Sequence, residues 1–128
     1  MKTLFCALLV LLSAAAFAAD EHTFADISQK DLTAAIAAKS AVIIDVNGSE
    51  SFKDGHIPSA VDFEAKAKDL AAILPKDKNA LIVAYCGSPQ CSAWHSAATA
   101  VAALGYTNVK HFVGGISGWK DSGAPVEK

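Results

Sequence analysis

Cys86 and Cys91, the ends of Cys86-Gly87-Ser88-Pro89-Gln90-Cys91, are the residues of this chain best equipped for covalent chemistry. They follow an apolar run, Ala80 to Tyr85, and precede a helix-like segment, Ser92 to Leu104. This predicts a thiol at a strand-to-helix turn. Unpaired N–H groups and the positive end of the helix dipole favour thiolate there, and so nucleophilic sulfur chemistry at Cys86. An anionic sulfur at that position can also be cradled by backbone N–H groups of Gly87, Ser88, Gln90 and Ser92, whereas Pro89 has none to give.

Cys91 admits two readings. As a second thiol on the first turn of the following helix it can attack an oxidised or sulfur-loaded Cys86 and close a Cys86 to Cys91 disulfide, or it is simply a small, half-buried helix residue. His95 lies four residues further on, on the same helical face. Cys86, Cys91 and His95 therefore form an alternative soft-metal set for Cu(I) or Zn(II), without the tight spacing of a metal motif. The plainer expectation is a surface His95, a Trp94 at the core or its rim, and no cofactor.

The elements that must position these residues follow from the pattern of apolar runs. Ser28 followed by Asp31 reads as a helix start, with the helix ending near Lys39. Ala41 to Val46 is a β-branched run suited to a strand buried on both faces, broken by Asn47-Gly48-Ser49. Ser49 to Lys53 is one helical turn, Ala60 to Asp62 a short strand, and Phe63 to Leu74 a helix stopped by Pro75. Leu81 to Tyr85 is the second buried strand, Asn108 to Val113 another, and a last short helix surrounds Trp119. Strands alternating with helices predict an α/β fold with a central, mainly parallel sheet flanked by helices in three layers. Sites in such sheets form at the carboxyl ends of strands, where Cys86 and Asp45 to Asn47 fall.

The N-terminus, Met1-Lys2-Thr3 followed by an apolar run to Leu12 and small residues to Ala18, reads as a signal peptide over 1–18, cleaved after Ala18 or Ala19 and taking Cys6 with it. The expectation is an exported, periplasmic or otherwise extracytoplasmic chain of about 110 residues, 19–128, enough for one domain and without a membrane segment once the leader is gone. Export favours disulfides unless a reductase intervenes, and two cysteines so close in sequence make a poor structural staple. A net charge of −2 argues against nucleic acid and anionic membranes as partners. All basic side chains are Lys, so the planar Arg fork that grips oxyanions is missing.

Several separated pieces together carry a resemblance. Ile44-Asp45-Val46 with Glu50 and Phe52, Gly55-His56-Ile57-Pro58-Ser59-Ala60, Val83-Ala84-Tyr85-Cys86, Leu104-Gly105-Tyr106-Thr107-Asn108-Val109, and Gly114-Gly115-Ile116 with Trp119 stand in the order and spacing of the rhodanese-like domains. The chain resembles that family over roughly Asp26 to Val126. The resemblance implies that Cys86 takes a sulfane sulfur from a small donor, holds it as a persulfide and passes it to a thiol acceptor. It also implies a structural hydrogen bond for His56 in its turn, while Asp45, at the end of a buried strand, reads as structural, accepting backbone or loop hydrogen bonds. The departures are specific: Cys91 stands where the loop often has Arg, and Asn47 where Arg often follows the Asp-Val pair. Phosphatase relatives have a longer loop ending in Arg, so phosphate transfer is not expected. Thiosulfate is a doubtful donor, and an exported redox protein is an alternative partner for a Cys86/Cys91 pair.

Overall fold

The structure is a computed structural model that describes residues 23–128; the leader expected over 1–18 lies outside the described residues. Its centre is a five-stranded sheet built from β1 (Ala25–Asp26), β2 (Ala41–Asp45), β3 (Val61–Asp62), β4 (Leu81–Tyr85) and β5 (Val109–His111). The order is β1-β5-β4-β2-β3 and every pairing is parallel. β4 is thus the middle strand, and its carboxyl end is the middle of the sheet's carboxyl edge. The helices are α1 (Gln29–Ala38), α2 (Ser49–Asp54), α3 (Phe63–Lys66), α4 (Leu70–Ile73), α5 (Trp94–Ala103) and α6 (Gly115–Asp121).

Side-chain alternation along the strands assigns the two faces. Ile44, Ile82, Ala84 and Val109 pack with Ala97, Ala98 and Val101 of α5, whose small residues let the helix approach the sheet closely. Ile43, Val83 and Tyr85 point to the other face, against Leu32 of α1, Ile57, Phe112 and Trp119 of α6. Each fully buried Ile, Leu or Val contributes about 1.5–3 kcal/mol relative to exposure. Because both faces of β2 and β4 are covered, their sequences are continuous apolar runs rather than alternating ones.

The predicted start of α1 is present, with the Ser28 hydroxyl accepting from Asp31 N at 3.1 Å. The segment expected as one helix from Phe63 to Leu74 is instead broken into α3, a 3₁₀ turn at Ala67–Asp69 and α4. Lys66 (φ −113°, ψ 0°) and Asp69 (φ −107°, ψ 13°) leave α geometry. Only Leu70 and Leu74 are buried there, too few anchors to hold a continuous helix on the core. β1 is not among the expected strands: Ala25 and Asp26 pair with Lys110 and His111. No described helix is long and apolar enough to cross a membrane.

Candidate active site

Cys86 follows directly on β4, 1% exposed, and forms a disulfide with half-buried Cys91; their Cα atoms are 6.3 Å apart. The two sulfurs singled out by sequence therefore meet. The helix after them begins at Trp94, later than the expected Ser92, and its first turn is tight, with His95 N bonded to Ser92 O and Ser96 N to Ala93 O. Cys91 belongs to the loop and not to α5.

The loop is strapped to α6. Ile116 N donates to Cys86 O at 2.9 Å and Ser117 N to Gly87 O at 3.0 Å, so the first amides of α6 are spent on loop carbonyls. Gly115 makes this possible. It has φ +63°, and a Cβ there would lie 2.6 Å from Cys86 O, 2.7 Å from Gly87 C and 2.8 Å from Ser88 N, closer than any side chain tolerates. Within the loop Cys91 N donates to Ser88 O at 3.1 Å. The amides of Gly87, Ser88, Gln90 and Ser92 find no acceptor among the described residues.

Asp45 supports the site from beneath without touching the sulfurs. It is 1% exposed; one carboxylate oxygen accepts from Tyr85 Oη at 2.5 Å and the other from Asn47 N at 2.8 Å. Tyr85 Oη in turn accepts from Ile57 N at 3.1 Å, tying β2, β4 and the turn before β3 together. Burial, then the bond to Asp45 and its charge, push the Tyr85 hydroxyl far above its ordinary range, so it stays a neutral donor. Asn47 Oδ1 lies 3.4 Å from where a Cβ on Gly87 would stand. Both residues line an open cavity of about 310 Å³ shared with Asp54 and Lys120.

His56 lies away from the thiols. Its Nδ1 donates to Phe52 O at 2.8 Å, its ring stacks on Phe52 at 3.7 Å, and its backbone exchanges two 2.9 Å bonds with Glu127. It fastens the C-terminal tail. His95 is exposed and bonds Thr99 Oγ1 through Nδ1 at 3.2 Å. Among the described residues no three His, Cys, Asp or Glu converge to hold a metal ion, so the set Cys86, Cys91 and His95 is not assembled. With both cysteines in a disulfide, neither offers a thiolate ligand.

The rhodanese-like domain model matches residues 28–122. The chain belongs to the rhodanese-like domain family. Solved structures share this rhodanese-like fold. A protein from Bacillus halodurans is 27% identical with TM-score 0.63, covering 80% of this chain and 76% of that one. A rhodanese-related protein from Thermoplasma volcanium is 23% identical with TM-score 0.62, covering 81% and 98%. A human single-domain sulfurtransferase is 20% identical with TM-score 0.59, covering 75% and 95%. No curated protein matches the chain.

Sequence reasoning missed two residues of this rhodanese-like site. Tyr85 read as the last apolar position of a strand, although its hydroxyl is the donor that a buried Asp45 requires. His111 sits in β5 two residues after Val109, facing inward, 6% exposed, with its ring stacked on Trp94 at 3.7 Å. A histidine at an inward strand position beside the reactive edge was the available signal.

Proposed function

We propose that the protein is a sulfurtransferase that carries a sulfane sulfur as a persulfide on Cys86. What supports this reading is Cys86 at the carboxyl end of the central parallel strand, on a loop where the amides of Gly87, Ser88, Gln90 and Ser92 find no acceptor among the described residues, together with the resemblance that matches Cys86 to the family's sulfur-carrying cysteine. The reduced Cys86 sulfur, giving up its proton, attacks the outer sulfur of a small donor; a new S–S bond forms, the donor's S–S bond breaks, and the donor residue leaves with the electron pair. An acceptor thiolate then attacks the outer sulfur and Cys86 departs as thiolate. The unspent amides are suited to the anion held between these steps. With no Arg in the chain, Asn47, Asp54 and Lys120 in the adjoining cavity favour a polar donor or acceptor over a multiply charged oxyanion.

The Cys86–Cys91 disulfide favours a second reading, a dithiol redox protein served by an exported partner. The two readings share one step. Attack of the Cys91 thiolate on the inner sulfur of a Cys86 persulfide closes the disulfide and expels hydrosulfide, after which a dithiol reductant must reopen the pair. Export is part of the same proposal. The test is turnover with a sulfane-sulfur donor and a small thiol acceptor under reducing conditions. Sulfur transfer abolished by Cys86→Ser supports the first reading; no transfer, with a reversible potential well above the roughly −300 mV of structural disulfides, supports the second.

A further inference from the structure

His111 is the one buried side chain with an unanswered polar atom: among the described residues its Nε2 has no hydrogen-bond partner. Its surroundings define what such an atom could serve. Ala84 of β4 is paired in register with His111, and Cys86 follows Ala84 by two residues. Trp94, stacked on the ring with planes 10° apart, follows Cys91 by three. One arm of the disulfide loop thus leaves the strand paired beside His111, and the other runs into the tryptophan stacked on its ring. The charged and titratable groups around the ring are Asp26 on β1 and, beyond Trp94, His95 on α5. Asp26 Oδ1 lies 3.8 Å from Nδ1 and favours the proton on that nitrogen, which leaves the lone pair on Nε2. Burial, opposed by Asp26, holds His111 below the ordinary imidazole range, so that lone pair is present at neutral pH.

A buried lone pair without a donor is costly, and a disulfide has no hydrogen to give it. A thiol does. We propose that His111 is the proton acceptor of the opened cysteine pair: once the Cys86–Cys91 bond is reduced, Nε2 accepts the Cys86 S–H and, as that sulfur attacks, takes its proton. A dithiol reductant supplies two electrons and two protons, becoming its own disulfide, while the Cys86–Cys91 bond becomes two thiols. When the Cys86 sulfur then forms a bond to an electrophile, its proton passes to Nε2 and the electrophile's leaving group departs with its electron pair. Asp26 is a positioning residue for this transfer, acting through the tautomer. The inference rests on Cys86 as the nucleophile of the reading above.

The experiment uses Cys91→Ser protein, so that only the Cys86 thiol reports, alone and combined with His111→Val or Asp26→Asn. Alkylation by iodoacetamide is timed at pH 7 and pH 10. The expected result is a rate at pH 7 lowered about tenfold or more by His111→Val, and less by Asp26→Asn, with rates at pH 10 unchanged because the thiolate needs no base there. Asp26 is exposed, so Asp26→Asn keeps the test valid if the strand substitution misfolds. Equal rates at pH 7, equal losses at both pH values, or a Cys86 unreactive throughout would overturn the proposal. A parallel exposure to a sulfane-sulfur donor separates the two claims. Failure of Cys91→Ser protein to take up sulfur defeats the nucleophile reading, whereas uptake with a pH 7 rate indifferent to His111 defeats only the role of His111.

Discussion

His56 and His111 are built alike and serve differently. Each is 6% exposed, each ring stacks on an aromatic partner at 3.7 Å, and each has a carboxylate just beyond hydrogen-bond range, at 3.7 Å and 3.8 Å. The difference is one bond. His56 donates Nδ1 to Phe52 O and is locked between α2 and the tail, whereas His111 leaves Nε2 unanswered next to the cysteine loop. The same contrast separates the loop's two flanks. Toward α6, carbonyls are met by amides and a glycine admits close approach; elsewhere, the amides of Gly87, Ser88, Gln90 and Ser92 and the Nε2 of His111 are left open. A satisfied flank holds the loop still, and an unsatisfied one is where chemistry has room to act.

Breaking the satisfied flank should have the largest effect. Gly115→Ala forces a Cβ into loop backbone at a positive φ, and we expect about 3 kcal/mol or more of lost stability in denaturant unfolding, with Cys86 displaced. Tyr85→Phe removes the donor to Asp45 and the acceptor of Ile57 N, leaving a buried carboxylate oxygen unanswered; about 2–3 kcal/mol should be lost in the same assay. His56→Leu sharpens the comparison. It should cost about 1–2 kcal/mol by freeing the tail, while Cys86 alkylation at pH 7 in Cys91→Ser protein stays unchanged, the reverse of the pattern expected for His111→Val.

The smallest effect concerns pH. Burial lowers His111 below its ordinary 6.5, so the unfolded chain binds the extra proton first as pH falls. Its contribution to stability is fully present above about pH 6.5 and is lost below it, toward the folded value. Unfolding measured across that window should show a shallower pH dependence in His111→Val than in the parent protein.

Much of this was legible in the chain because it is local. The apolar runs at Ala41 to Val46 and Leu81 to Tyr85, the Ser28 cap and the cysteine pair after a strand each declare themselves within a few residues, and the parallel α/β sheet follows from their alternation. What was not legible depends on distant partners. Tyr85 meets Asp45 forty residues away, and β1 exists only because β5 accepts it. The broken helix after Phe63 reflects how little of that segment reaches the core, which periodicity alone does not reveal. His111 stands at an inward strand position that the sequence does show, but the unanswered Nε2 that gives it meaning emerges only once its neighbours are placed.

The most direct test of Cys86 as the sulfur carrier is intact mass after reduced protein meets a sulfane-sulfur donor, compared across the parent chain, Cys86→Ser and Cys91→Ser. The expected result is one added sulfur held by Cys91→Ser, none on Cys86→Ser, and return of the parent chain to its disulfide with release of sulfide. A sulfur retained by Cys86→Ser, or none taken up by Cys91→Ser, would contradict it.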